Sequence, residues 1–195
     1  MTSSKREKLI DTALELFCRD GFHATGIDKI LAEAGVSKMT LYKYFKSKDE
    51  LIIAALRRKD EEYRNWLMKE VERNAKTPYE RILAVFDALD TWFNQETFMG
   101  CVFDNAAAEY GDRNNPVHLV AAEHKRLMFI YLTGLIRDAG YEGPEELAEQ
   151  LLLIIEGAIV FAHVMGEINV ANKAKQAAIS LLGYTNIEQK TAANI

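Results

Sequence analysis

Gly35 stands between two short runs of helical apolar periodicity, and this corner restricts the fold more than any other feature of the sequence. Ile27, Ile30, Leu31 and Ala34 recur at helical spacing, with Thr25 placed to cap that helix and Asp28 to return the contact. A glycine at 35 stops it where the backbone must turn left-handed. Ser37 is a natural cap for the next helix. From Lys38 to Phe45 the pattern sets Leu41 and Phe45 inward and Lys38, Thr40, Tyr42, Lys43 and Tyr44 outward. Between Val36 and Lys48 there are lysines at 38, 43, 46 and 48 and no acid, as suits a surface pressed on phosphates. Ser47-Lys48-Asp49-Glu50 then reads as a capping box, whose amides together with Lys48 are placed to hold a phosphate. The spacing predicts a helix-turn-helix with Lys38–Phe45 as recognition helix. An ordinary helical hairpin with a solvated lysine face is the other reading. Glycine turn, cap, inward pair and acid-free outer face together favour DNA.

Those residues also carry a resemblance. Gly21-Phe22, Thr25, Ile30, Ala34-Gly35-Val36-Ser37, Leu41-Tyr42-Lys43-Tyr44-Phe45, Lys48 and Leu51 form a spaced series similar to the TetR family of transcriptional regulators, over about the first quarter of the chain. Leu31 departs from the small alanine usual there, and Met39 from a frequent glycine. The resemblance implies a homodimeric repressor released from its operator by a small ligand. It also implies that Lys38, Met39 and Thr40 face base edges, while Thr25, Tyr42, Tyr44 and Lys48 hold the backbone. Ser37 and Lys43 complete the expected DNA-binding set.

Charge is placed to match. Residues 1–60 carry 12 Lys+Arg against 9 Asp+Glu, although the whole chain has a formal net charge of -5. A basic front and an acidic rear orient a protein on a polyanion, so an acidic total is no objection to DNA. No basic segment followed by an apolar run opens the sequence, which predicts no signal peptide and a cytoplasmic protein. The apolar run Leu147–Met165 is interrupted by Glu149, Gln150, Glu156 and His163. It reads as a buried helix rather than a membrane span. Cys18 and Cys101 lie far apart without metal spacing and read as reduced core thiols.

In chain order, Ser4 and Glu7 open a first helix whose stripe is Leu9, Ile10, Ala13, Leu14 and Phe17, and Gly21 closes it. Phe22 reads as a core plug and His23 as an exposed turn residue. A long helix runs from Leu51 to about Ala75, and Thr77-Pro78-Tyr79-Glu80 restarts the next. Further helices are read at Cys101–Tyr110, from Asn115-Pro116 to Ala139, from Gly143-Pro144 to Met165, and at Asn172–Leu182 before a polar tail. No stretch alternates with period two. The expected fold is all-α, with about nine or ten helices: a helix-turn-helix domain over 1–50, and an effector-binding and dimerisation domain over 51–195.

The rear domain has two expected tasks. The helices 116–139 and 144–165 are expected to pair with a second copy through Val120, Leu127, Tyr131, Leu135, Leu151, Ile155, Ile159 and Ala162, or else those stripes only fill the monomer core. Trp66, Phe86, Trp92, Phe93, Phe103 and Phe129, with the polar residues Asp104, Glu156 and His163 among apolar neighbours, are the candidates to bind a largely apolar small effector. No cofactor and no metal is expected. Nothing matches a G-x-S-x-G, an H-E-x-x-H or a phosphate-cradling glycine loop. The alternatives are a DNA-binding dimer with no effector, or a helical enzyme with a DNA-binding head.

Overall fold

The computed structural model describes residues 4–166 and 169–192, and within them it contains nine helices and no strand. They are α1 (Lys5–Asp20), α2 (Ile27–Ala34), α3 (Lys38–Tyr44), α4 (Lys48–Asn74), α5 (Pro78–Phe93), α6 (Val102–Glu109), α7 (Pro116–Asp138), α8 (Pro144–Met165) and α9 (Val170–Ala192). The chain divides into two compact units. One is Met1–Tyr63 with Cys101–Lys125, the other Arg64–Gly100 with Arg126–Ile195. The head's unit therefore runs past residue 50 and takes in α6 and the start of α7.

In the first unit α1 packs across both α2 and α3. Leu9, Ala13, Leu16, Phe22, Ile30, Ala34, Leu41, Leu51 and Ile52 are wholly buried there. Phe17 and Phe22 stack with ring centroids 5.1 Å apart. The helix boundaries follow from local chemistry. Ser4 Oγ accepts the Glu7 N–H at 3.2 Å, and Ser37 Oγ accepts that of Thr40 at 3.2 Å. Gly35 has φ 62 and ψ 39 and donates its N–H to Ala32, while Val36 donates to Leu31. These paired bonds terminate α2 and need a left-handed residue at 35.

In the second unit α5, α8 and α9 pack on one another. α5 opens with the full capping box of Thr77 and Glu80 behind Pro78. Ile82, Val85, Phe86 and Leu89 are buried from α5, Leu147, Leu151 and Ile155 from α8, and Ala171, Ala178 and Leu182 from α9. Two expectations change. α9 does not stop at Gly183 but continues to Ala192, since one glycine costs a helix only about 1 kcal/mol. α8 is not a buried helix. It passes for a membrane span on length and mean hydropathy of 1.7, yet it buries one face in its own bundle and leaves Leu153, Val160, Phe161, Val164 and Met165 exposed.

Candidate nucleic-acid interface and rear-domain sites

The outer face of α3 is open to solvent. Met39 is 82% exposed, Tyr42 48% and Tyr44 39%. Lys38, Lys43, Lys46 and Ser37 are exposed, and Thr40 and Lys48 half-exposed. The inward pair Leu41 and Phe45 is buried, which fixes the direction in which the other side chains point. Lys43 Nζ lies 5.9 Å from the centre of the Tyr44 ring, and Arg6 of α1 sits 5.5 Å over that of Phe45. Of the two acids just beyond this face, Asp49 and Glu50, the second is occupied locally. Glu50 accepts the Lys46 N–H at 2.7 Å, and Ser47 Oγ accepts that of Glu50 at 3.2 Å. Lys48 Nζ donates to the His23 carbonyl at 3.4 Å, which holds its charge beside the loop before α2.

Thr25 is a correction. It neither caps α2 nor meets solvent: the cap position is Gly26, and Thr25 is 0% exposed. Its hydroxyl donates to the Gly21 carbonyl at 2.7 Å and lies 3.4 Å from that of Leu16. A side chain enclosed in this way holds the end of α1, not a phosphate. Thr25→Val, which keeps the shape and removes the donor, is expected to cost about 1–2 kcal/mol of stability in urea unfolding. The salt dependence of DNA binding is expected to stay unchanged.

One clamp was not visible in the sequence. Glu109 at the end of α6 accepts the N–H groups of Phe22 (2.8 Å) and His23 (2.7 Å) and lies 2.8 Å from His23 Nδ1. Burial pushes its carboxyl up, but the two backbone donors and the imidazole outweigh this and hold it below its usual range. Tyr110 adds a donor to Asp49 at 3.4 Å, and burial together with that aspartate raises its hydroxyl to about 12. The partners in the Glu109 contacts lie 86 and 87 residues apart, beyond any local pattern.

A second pair is likewise long-range. His124 of α7 is 4% exposed, with Nδ1 2.8 Å from Asp60 Oδ1 of α4. Its ring stacks on Phe103 at 3.7 Å and meets the edge of Tyr63 at 5.7 Å. Burial drives this imidazole down to about 4, against the opposing pull of Asp60. Beside it, Asp104 pairs with Lys125 at 2.7 Å.

The remaining effector candidates lie in the other unit. Trp92 and Phe93 meet Phe98, each at 5.1 Å, and Phe98 lies 6.3 Å from the His163 ring. Gly100 has φ +77, and a Cβ there would come 2.6 Å from His163 Nδ1, so only glycine fits beneath that ring. Phe86 is core, at 1% exposure. Trp66, Phe129 and Glu156 are half-buried. Neither cysteine forms a disulfide; Cys101 is buried and Cys18 only half-buried.

Five residues of the expected dimer face are corrected. Leu151, Ile155, Ile159, Ala162 and Leu135 are buried within the chain's own fold, and Val120, Leu127 and Tyr131 are half-buried. Among the described residues an exposed apolar stripe runs along the opposite side of α8, where Leu153, Gly157, Val160, Phe161 and Val164 share one helical face. Helix α9 lies alongside α8 and exposes Tyr184.

Comparison with known proteins agrees with this architecture. Residues 9–55 match the profile of the bacterial regulatory proteins of the tetR family, and residues 78–178 match that of the tetracyclin repressor-like C-terminal domain. The HTH-type transcriptional regulator YjdC of Escherichia coli (strain K12) is 23% identical over 155 residues, covering 80% of this chain and 81% of that protein. The HTH-type transcriptional activator FasR of Mycolicibacterium smegmatis is 48% identical over 54 residues, 28% of this chain and 25% of that one. The crystal structure of SCO4454, a TetR-family transcriptional regulator from Streptomyces coelicolor, superposes with a TM-score of 0.86 at 28% identity, over 93% of this chain and 95% of that one.

Proposed function

The chain belongs to the bacterial tetR family of regulatory proteins, and from that premise we propose that it is a cytoplasmic homodimeric repressor, released from a palindromic operator by a small ligand. It is a transcriptional regulator with an N-terminal DNA-binding domain, as its relatives are, and not an enzyme. The observation that supports the finer reading best is the outer face of α3. Lys38, Met39, Tyr42, Lys43 and Tyr44 stand exposed on a helix locked from behind by Leu41 and Phe45, with no acid from Val36 to Lys48. Lys38, Met39 and Thr40, at the start of this helix, are assigned to base edges. Tyr42, Lys43, Tyr44 and Lys48 are assigned to the phosphate backbone, with Ser37 as the cap.

One such helix covers too few base pairs for tight binding, so a second copy is needed. The stripe Leu153, Val160, Phe161 and Val164, with Tyr184 of α9, is where that copy would dock, two α8–α9 pairs forming a four-helix contact. Phe161→Glu puts a charge at the centre of that contact. Sedimentation should then show monomer where the wild type is dimer, and operator affinity should fall by more than about tenfold. A variant that stays dimeric contradicts this interface.

Lys48→Ala is expected to weaken binding to all DNA sequences alike and to flatten its salt dependence by about one unit of slope. An unchanged slope in fluorescence anisotropy removes Lys48 from the phosphate contacts. Ligand release is tested by gel shift on the operator with a compound panel. Dissociation by one compound supports it, and binding that ignores the whole panel counts against it.

A further inference from the structure

Within the head's own compact unit, a cavity of about 310 Å3 is lined by Ile53, Arg57, Asp60, Pro116, Leu119, Val120, Glu123 and His124. That is the small end of the range for ligand sites, roughly 300–1,000 Å3, and the mixture of apolar walls with a few polar groups is also typical of them. His124 is the distinctive wall. Its Nδ1 faces the Asp60 carboxylate at 2.8 Å, and its ring faces are taken by Phe103 and Tyr63. The imidazole is neutral at ordinary pH, because burial brings it down to about 4. A neutral ring beside an ionised carboxylate carries its proton on Nδ1 and donates it to Asp60, which leaves Nε2 as an acceptor. Nε2 has no hydrogen-bond partner among the described residues. Nε2 is not sealed off, since Arg81 Nε is the one enclosed side-chain nitrogen or oxygen without a partner among the described residues, and a ligand in this cavity that supplies a donor can pair with it.

We propose that this cavity is the effector site, and that it takes a small neutral molecule, largely apolar, whose hydroxyl or N–H donates to His124 Nε2 while Asp60 fixes the tautomer. The inference rests on the ligand-release reading above and names the chemistry of its ligand. The charged walls are Asp60, Glu123 and Arg57, so two carboxylates against one guanidinium give an anion no net attraction, and a neutral donor is favoured. The cavity spans α4 and α7, and α4 starts at Lys48, directly after the recognition helix, so an occupant bears on the helix that carries the head.

The test is calorimetric titration of the full-length protein, without DNA, using 4-ethylphenol and its hydroxyl-free counterpart ethylbenzene as probes. The wild type is expected to bind 4-ethylphenol up to about tenfold more tightly, the worth of one hydrogen bond. His124→Phe, which keeps a planar ring and removes the acceptor, should abolish that preference. Leu119 is 54% exposed, so Leu119→Trp narrows the mouth without disturbing the core and should weaken both probes. Equal affinities in the wild type, a hydroxyl preference that survives His124→Phe, or no binding of either probe overturns the site. Binding is read without DNA, so the two proposals fail separately. Operator release by some other compound, with no binding here, leaves the ligand-release reading standing. Tight binding here that never releases the operator overturns the effector role.

Discussion

Phe22→Ala is expected to cost the folded protein about 3–5 kcal/mol, the usual range for emptying a fully enclosed phenylalanine site. Phe22 has no exposed surface. It stacks on Phe17 at 5.1 Å and meets the edge of Tyr110 at 6.3 Å. It sits in the loop between α1 and α2, where its N–H is held by Glu109 at 2.8 Å, so the backbone cannot readily close around a void. The cavity term therefore adds to the lost transfer energy instead of being relaxed away. Urea unfolding measures the loss, and Phe22→Leu, which refills most of the volume, should recover more than half of it. Because total stabilities are about 5–15 kcal/mol, the alanine variant should lose a large part of its folded head at physiological temperature. A cost below about 1 kcal/mol would mean that the ring does not close the core of this unit.

The second large effect is a pH dependence. His124 has its imidazole pushed from 6.5 down to about 4 by burial, with Asp60 pulling the other way. The folded state thus prefers the neutral ring. Between about pH 6.5 and 4 the unfolded chain binds a proton at this position and the folded chain does not, so stability falls as pH falls through that window. Above the unfolded value both states are neutral and the contribution is flat. At about 1.4 kcal/mol per pKa unit the total is about 3 kcal/mol. Carboxylates titrate in the same range, so the readout is a difference: between pH 7 and pH 4 the wild type should lose about 3 kcal/mol more than His124→Phe. Parallel curves would show that the ring is not held neutral by the fold.

The locally encoded parts of this molecule were readable in the sequence, and the parts set by distant chain segments were not. Gly35, Ser37, the Leu41–Phe45 pair and the Thr77–Glu80 box each act within a few residues, and the structure carries each of them. Thr25 was misplaced by one position because Gly26, which has no side chain to offer, occupies the cap. For α8 the periodicity picks out a real face in Leu151, Ile155, Ile159 and Ala162. The helix is apolar on both sides, however, so period alone cannot say which side meets its own chain. The Asp60–His124 and Phe22–Glu109 contacts join residues 64 and 87 positions apart, and no pattern in a single sequence pairs them. The exposed outer face of α3 was therefore legible early, whereas the cavity proposed for the effector depends on α4 and α7 being brought together.

Operator recognition, on this reading, rests on a two-fold pair of α3 helices in the major groove. Hydroxyl-radical footprinting on DNA selected by the purified protein tests it most directly. Two symmetric patches of protection are expected, centred about one helical turn apart, roughly 34 Å, and both lost together in Phe161→Glu. A single unsymmetric patch, or protection that persists when Lys38, Thr40 and Lys43 are all changed to alanine, would contradict it.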